Sequence, residues 1–524
     1  MDGWWAERQN AMRFPDGCYA APQNNRRKHS RTMQNGTLLA ALDLGSNSYR
    51  LEIGRLEHGQ LLRTEYLKET VRQGNGLDAD RNLTPDAMQR GWDCLARFGE
   101  RIAGFERTHV RAVATKTLRE ARNRDVFLAR ASELLKFPID VVSGPEEARL
   151  IYQGVSHLLP QSDERRLVVD IGGRSTEMIL GQHYNANVVA SFRVGSVAWS
   201  MKYFPQGQFT TQAFQIAEIA AKAVLDEALD SYQPSAWDVA YGASGTVGAI
   251  GDILTAAGEP PGLITRAGLD LLLDRLLRAQ SADRVRMDGL KEDRRAVIGG
   301  GVSVLRAIFD LLSIDQMEVA QGALRQGVLY DLIARELPQT DMRMSTVQLL
   351  SRKFDIDTVQ AQRVSQVAQA LFAQVLPGDH ERPARKLGWA AQLHEIGCQI
   401  SHSDHHRHGA YILRNTDAPG FALPELEALS TLVLAHRGKL RKVEVALTDR
   451  QFVLQLVCLR LAVALCHARR DPDTDAIRLS LEGQAIQVSA SAEWAVAHPQ
   501  SAHLLREEAA AWQRTAWTLD AVFS

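Results

Sequence analysis

The sequence predicts an α/β fold in which two lobes face each other across a cleft, followed by a mostly helical half. Three observations predict it. A strand–polar turn–strand unit occurs twice, as ALDLGSNSYRLEIG from Ala41 and as LVVDIGGRSTEMILG from Leu167. A further Gly-rich turn between a strand-like and a helix-like run follows in WDVAYGASGTVGAIGDIL. Past about Gln339 the apolar residues recur at helical spacing, as in VQLLSRKFDIDTVQAQRVSQVAQALFAQVL.

The bulk numbers agree with a globular chain. It has 524 residues, 45% of them hydrophobic, which suggests roughly three domains at about 150 residues each. Lys and Arg total 61 against 62 Asp and Glu, so the formal charge is -1. No global field draws the chain to nucleic acid or membrane, and any polyanion site must be a local patch. Cys18, Cys94, Cys398, Cys458 and Cys466 are scattered without a CxxC. That pattern fits a reducing, cytoplasmic compartment and neither a disulfide framework nor a zinc ribbon. No apolar stretch is long enough to span a bilayer. Residues 1–35 are rich in Asn, Arg and Gln and lack the apolar core of a secretory signal. They read as a disordered tail, with Met33 a candidate start.

The two repeat units align residue by residue. Asp43 meets Asp170, Gly45 meets Gly172, Ser48 meets Ser175, and Gly54 meets Gly181. Each unit continues into a third strand-like run, LLRTEYLKETV and ANVVASFRV, and then a helical period. Glycine in a hairpin tip allows a tight turn and close approach to a ligand. Backbone N–H groups with Ser and Thr hydroxyls form an anion nest. Two such tips facing each other would grip a phosphate from both sides. In the turn Gly242-Ala243-Ser244-Gly245-Thr246, backbone amides at a helix start would favour the same charge. It is not a hydrolase elbow, because Thr246 fills the last Gly position. There is no GxxxxGK[ST] loop, which excludes P-loop chemistry. AVIGGGVSVLRAIFDLL is expected to run a Gly turn into a helix, although helix–strand packing explains it equally well.

Between the units, IDVVSGPEEARLIYQGV reads as a short strand, then a helix beginning at Glu146-Glu147. Pro145 suits a helix start, and the macrodipole stabilises early carboxylates. The pair also lies where a cleft would open, and a Glu beside bound phosphate can orient a water. Asp43, Asp170 and Glu177 are hard oxygen donors suited to Mg²⁺, or else turn-capping carboxylates.

DLGSNSYRL, TKTLREARN, SGPEEARLIYQGV, DIGGRSTEMILG, GASGT and GALRQGVLYDL, in this order, resemble the exopolyphosphatase / guanosine pentaphosphate phosphohydrolase family. The resemblance is close over about Thr37 to Arg335 and looser beyond. It implies two ribonuclease-H-like lobes of the actin-like ATPase superfamily. It also implies metal-assisted hydrolysis of terminal phosphoanhydrides, of inorganic polyphosphate first or alternatively of guanosine pentaphosphate. By resemblance Glu147 is the catalytic Glu, expected near the cleft surface, and Glu177 the second essential acid. Asp43, Asp170 and Glu177 are the expected contacts of Mg²⁺ or Mn²⁺, and a monovalent cation is left open. The expected phosphate-binding set is Gly45, Ser46, Asn47 and Ser48, then Arg119. It continues with Gly172, Gly173, Arg174, Ser175 and Thr176, then Gly242, Ser244, Gly245 and Thr246. Arg174 departs from the family, where Gly is usual. It would be strained at a positive φ, or otherwise add a cation beside the phosphate.

The expected domains are lobes at 36–145 and 146–321, with the closing helix 322–337 a candidate to return to the first lobe. A helical domain at 340–475 and a small α+β cap at 476–524 complete the chain. His394-Glu395-Ile396-Gly397 resembles the core of helical HD phosphohydrolases, with Gln360 where the upstream ligand His would fall. The reading is therefore an HD-like fold without its working metal site. His402, His405, His406 and His408 fit no zinc template. They read as a solvated loop, a polyphosphate contact or a metal site. Expected partners are polyphosphate or guanosine pentaphosphate and a second copy of the chain as a homodimer, with no nucleic acid and no membrane span. A kinase, a chaperone-type ATPase and an idle polyphosphate-binding protein are the other readings of such a chain. Glu147 in the cleft argues against the idle one.

Overall fold

The computed structural model describes residues 33–160, 162–336, 340–376 and 381–524. The expected disordered tail lies, up to residue 32, outside the described residues. The chain divides into two compact units, one ending at Thr340 and the other running from Asp341 to Ser524.

The first unit holds two sheets built on one plan. In the first sheet, β1 (Leu38–Leu44), β2 (Tyr49–Glu57) and β3 (Gln60–Glu69) pair antiparallel. Then β4 (Val110–Ala114) and β5 (Ile139–Val141) extend β1 in parallel, giving the order β3-β2-β1-β4-β5. In the second, β6 (Arg165–Ile171), β7 (Thr176–Gln182) and β8 (Asn185–Phe192) repeat the antiparallel trio. Next, β9 (Val239–Ala243) runs parallel to β6, followed by β11 (Gln316–Val319) and the antiparallel edge strand β10 (Leu263–Thr265). Both repeat units therefore open their sheets identically.

Helices α1 (Pro85–Arg101), α2 (Lys116–Glu120) and α3 (Arg124–Leu135) accompany the first sheet. The Thr84 hydroxyl caps α1, and Pro85 begins it. Helix α4 (Gly144–Ser156) starts two residues before the predicted Glu146, its Ser143 Oγ accepting the Glu146 amide at 3.2 Å. Helices α5 (Ser196–Tyr203), α6 (Thr211–Leu225), α7 (Ser244–Ala256), α8 (Arg266–Ala279) and α9 (Ile298–Leu311) accompany the second sheet. Helix α10 (Leu324–Glu336) packs on α4 and on β1. The approach is close enough that a Cβ on Gly327 would meet the Leu150 carbonyl oxygen at 1.7 Å. Leu39, Val113, Leu150, Tyr152, Val168, Ile179 and Val328 form one core that joins both sheets through these two helices.

One expectation needs correction. Gly299, Gly300 and Gly301 lie inside α9 and make no turn. A Cβ on Gly300 would meet the Ser196 carbonyl oxygen at 2.4 Å, so the glycines let α9 lie against α5.

The second unit is mainly helical: α11 (Met342–Lys353), α12 (Thr358–Val375), α13 (Glu381–Gln392), α14 (His405–Asn415), α15 (Leu423–Ala435) and α16 (Arg450–Leu465). The hairpin β12 (Arg478–Glu482) and β13 (Ala485–Ala490) follows, then α17 (Ala492–Ala497), α18 (Pro499–Trp512) and β14 (Thr518–Phe523), parallel to β13. One apolar core runs through all of it, from Val347 to Leu519. No helix is long and apolar enough to cross a membrane among the described residues.

The histidine stretch is not a loop from residue 405 onward. His405 and His406 are buried on α14, and their rings lie 5.4 and 6.3 Å from that of His436. His394 and His436 donate from Nδ1 to the Ala391 and Val433 carbonyl oxygens, both at 2.6 Å. Gln360 is occupied structurally, donating to the Cys466 carbonyl at 2.9 Å. A cavity of about 960 Å³ opens here, lined by His405, His406, Glu395, Arg437 and Arg469. It has neither hairpin tips nor a Gly-rich turn.

Candidate active site

The hairpin tips β1–β2 and β6–β7 and the start of α7 border one cleft of about 390 Å³ in the first unit. It gathers Asp43, Gly45, Ser46, Asn47, Ser48, Glu147, Asp170, Gly172, Gly173, Arg174, Ser175, Ser244, Gly245 and Thr246. Neighbouring loops clasp both tips. The Gly74 amide donates to the Ser46 carbonyl at 2.8 Å, and the Ser196 and Val197 amides donate to Gly172 and Gly173 at 2.9 Å. The Thr117 hydroxyl donates to Ser46 Oγ at 2.7 Å, tying the first tip to the TKTLREARN segment.

Glu147 sits in the second position of the Glu pair; it lines the cleft as expected but is largely buried, at 7% exposed. Arg119 Nη1 donates to its Oε2 at 3.1 Å and to the Val142 carbonyl at 2.8 Å. Burial, then the charge of Glu177, pushes the Glu147 carboxyl up to about 8 against the pull of Arg119. Asp170 and Glu177 stand directly opposite each other on β6 and β7. Like charges so placed repel. Burial and then Glu147 push Asp170 up to about 7, while burial and then Asp170 push Glu177 up to about 7. Ser191 Oγ donates to Glu177 Oε1 at 2.7 Å.

The first tip differs in charge. In the repeat alignment the position of Glu177 is taken by Arg50, which faces Asp43 across β1 and β2 and donates to it at 3.1 Å. Arg325 Nη1 lies 3.8 Å from the same carboxylate oxygen. So one tip is neutralised internally and the other is a pair of acids. Among the described residues, no three His, Cys, Asp or Glu side chains come together to hold a metal ion. The expected trio of Asp43, Asp170 and Glu177 is therefore not a closed protein cage.

Three predicted phosphate ligands, Arg119, Thr176 and Gly242, are not among the residues that line the cleft, although Arg119 stands behind Glu147, which does. The Thr176 hydroxyl is fully buried and donates to the Val194 carbonyl at 2.6 Å. Gly242 lies within β9, where a Cβ would meet Val247 and Met317 side chains. At the start of α7 the Ser244 hydroxyl accepts the Thr246 amide at 3.1 Å and donates to the Ile171 carbonyl at 2.9 Å. Left-handed backbone falls on Ser244, with φ of 85°, and not on Arg174. Arg174 instead donates to the Gly74 carbonyl at 2.9 Å, bridging the second tip to a loop of the first sheet. Arg174→Gly is thus expected to relieve no strain. It should lower the thermal midpoint, as loss of about one hydrogen bond worth roughly 1 kcal/mol would. A rise in the midpoint on thermal unfolding would contradict this reading.

The sequence reading passed over the cations of the cleft wall. Lys68, Lys116, Lys291, Arg294 and Arg325 all line it, as does Arg50. Arg294 is set against Gly245, where a Cβ would meet its Nη2 at 2.2 Å and push the guanidinium aside. Burial, then Arg50, pushes the Arg294 guanidinium below its usual value. Arg50 and Lys116 fall inside quoted motifs and were within reach of sequence reasoning. Arg294 was not, since nothing local marks it.

Three comparisons bear on this geometry. The Ppx/GppA phosphatase family matches residues 55–336, and Ppx/GppA phosphatase, domain III, matches residues 342–509. A protein of Vibrio vulnificus (strain YJ016) named guanosine-5'-triphosphate,3'-diphosphate pyrophosphatase is 38% identical over 93% of this chain and 98% of its own length. A protein of Vibrio atlanticus (strain LGP32) with the same name is 37% identical over 92% of this chain and 98% of its own. Among solved structures, an exopolyphosphatase from Cytophaga hutchinsonii aligns with a TM-score of 0.51 at 22% identity, covering 57% of this chain and 98% of that one. An exopolyphosphatase-like protein aligns with a TM-score of 0.51 at 24% identity, covering 56% and 97%. These structures share the two-lobed actin-like fold of the first unit.

Proposed function

The chain belongs to the Ppx/GppA phosphatase family, and from that premise we propose that it hydrolyses the terminal 5′-phosphoanhydride of guanosine pentaphosphate. As a member it is a phosphoanhydride hydrolase. The full-length relatives named for guanosine pentaphosphate support that substrate, reversing the order of substrates read from the sequence. The observation that carries the chemistry is Glu147, buried in the cleft that the two phosphate-nest tips border and held by Arg119. The water oxygen attacks the terminal phosphorus, its proton passes to Glu147, and the bridging oxygen leaves with the shortened nucleotide. A carboxyl pushed up to about 8 has the basicity that proton abstraction near neutral pH requires. An arriving phosphate competes with Glu147 for Arg119, which frees the carboxylate for the water.

The donors fit a hard divalent cation. Asp170 and Glu177 are adjacent oxygen donors whose burial and repulsion by nearby carboxylates outweigh the pull of Arg50, Arg325 and Arg119, and Mg²⁺ takes one or two carboxylates with water and substrate oxygens. Mg²⁺ or Mn²⁺ held by these two would offset the charge of the phosphates.

Polyphosphate is a second substrate for the same cleft, favoured by the row of cations Lys68, Lys291 and Arg294 along its wall. Phosphate release measured in parallel on guanosine pentaphosphate, polyphosphate and ATP tests both. The expected order of kcat/KM is guanosine pentaphosphate first and ATP last. Transfer of phosphate from ATP to an acceptor, with no hydrolysis, would overturn the reading. The second unit adds Arg437, Lys439, Arg441 and Lys442. Neutralising all four is expected to make long-chain digestion less processive, more so at high salt, by the additive logic of phosphate neutralisation. Gels of partial digests would then show intermediates of many lengths, and their absence would count against a basic track there.

A further inference from the structure

Glu146, the neighbour of Glu147, enters a different network. Its carboxylate is fully buried and accepts from Arg149 Nε at 2.8 Å and Nη2 at 2.9 Å. Arg149 Nη2 also donates to Asp331 of α10 at 2.6 Å. Asp331 accepts from Arg335 at 2.6 Å and from Arg111 of β4. Arg111 in turn reaches Asp140 of β5 at 3.4 Å and lies 3.8 Å from Glu146. Three guanidinium groups thus face three carboxylates, and Arg111, Glu146, Arg149 and Asp331 are each 5% exposed or less.

A buried ion network is weak evidence for stability, since apolar side chains of similar volume often pack as well or better. Its geometry, by contrast, is fixed by forks that accept only one arrangement. Three of the anchored elements also lead to a cleft residue. Helix α4 carries Glu147 one position after Glu146. Strand β4 runs from Arg111 into Thr115 and Lys116, and then α2 with Arg119. Helix α10 holds Arg325 in its first turn. We propose that the network of Arg111, Glu146, Arg149 and Asp331 is a positioning device that sets where Glu147 stands against Arg119 and the incoming phosphate. This rests on Glu147 being the base.

The test uses the full chain and phosphate release from guanosine pentaphosphate. The double variant Arg149→Met/Asp331→Leu removes one central charge of each sign, so the net charge of the network is unchanged, while Glu146 loses the Arg149 fork and Arg111 and Arg335 lose Asp331. It is expected to keep its fold and a KM within about twofold, while kcat falls roughly 10- to 100-fold, the cost of misplacing a reacting group by about an ångström. The pH dependence of kcat/KM should shift with it. Arg149→Lys keeps the charge but loses the fork, so it should show the same defect. A folded double variant with wild-type kcat and pH profile overturns the proposal. If the double variant does not fold, Arg149→Lys decides: a wild-type kcat and profile there overturn it equally. Glu147→Gln is run alongside. Near-normal turnover in that variant would sink the base reading, whereas its loss with an active double variant would sink the positioning role alone.

Discussion

Glu147→Gln is expected to cut phosphate release by about 10²- to 10⁴-fold, the usual contribution of a general base. The amide keeps the shape of the carboxylate and can still accept from Arg119, but it cannot take the proton of water. The fold should not suffer. Burial pushes the Glu147 carboxyl up to about 8 from the ordinary 4.5. Between those two values the folded chain holds a proton that the unfolded chain has released, so this group costs stability as pH rises through the window. Gln carries no such cost. The variant should therefore match the wild type in acid and exceed it in thermal midpoint towards pH 8. In the wild type, kcat/KM should rise with pH as the carboxyl ionises, and the residual activity of the variant should lack that limb. Wild-type release by the variant, or an unchanged pH profile, would remove Glu147 from the role.

What the sequence could reveal follows from how local each signal was. The Asp-x-Gly tips were legible because the same small residue recurs, and at both Gly45 and Gly172 a Cβ would come within 3.0 Å of a carbonyl oxygen, of Ser48 and of Ser175. The start of α4 was legible to within two residues because Ser143 and Pro145 mark it locally. Thr176 misled because it follows Ser175 in the motif, yet a strand alternates its faces, and this hydroxyl turns inward to the Val194 carbonyl. The three glycines of α9 misled because close helix packing and a turn demand the same residue. Of the two readings of Arg174, strain or a cation beside the phosphate, only strain is overturned, since the residue still lines the cleft. Its backbone is ordinary and its guanidinium spans to Gly74, a partner that only the tertiary fold supplies. The Asp331 network joins residues far apart in the chain, so no window of sequence could show it.

The contrast between the two tips makes loss of divalent metal the other large effect expected. In the first tip Arg50 neutralises Asp43 from across the hairpin. In the second, Asp170 and Glu177 face each other, Arg50, Arg325 and Arg119 act on them only from beyond ion-pair contact, and both carboxyls are pushed up to about 7. A polyphosphorylated substrate adds further negative charge to the same cleft. Hydrogen-bond donors such as Ser191 temper this but bring no charge. Exhaustive chelation is therefore expected to abolish release of phosphate, and Mg²⁺ or Mn²⁺ to restore it. Zn²⁺ should restore little, because these are hard oxygen donors with no imidazole or thiolate among them. A divalent ion at a transferring phosphate supplies several kcal/mol, so the loss should reach roughly 10³-fold or more. Asp170→Asn should weaken Mn²⁺ binding, read by calorimetric titration of the metal alone into the apoprotein. Asp43→Asn should weaken it far less, since Arg50 already occupies that carboxylate. Full activity after chelation would refute the assignment, and equal losses of Mn²⁺ affinity in the two variants would refute the asymmetry between the tips.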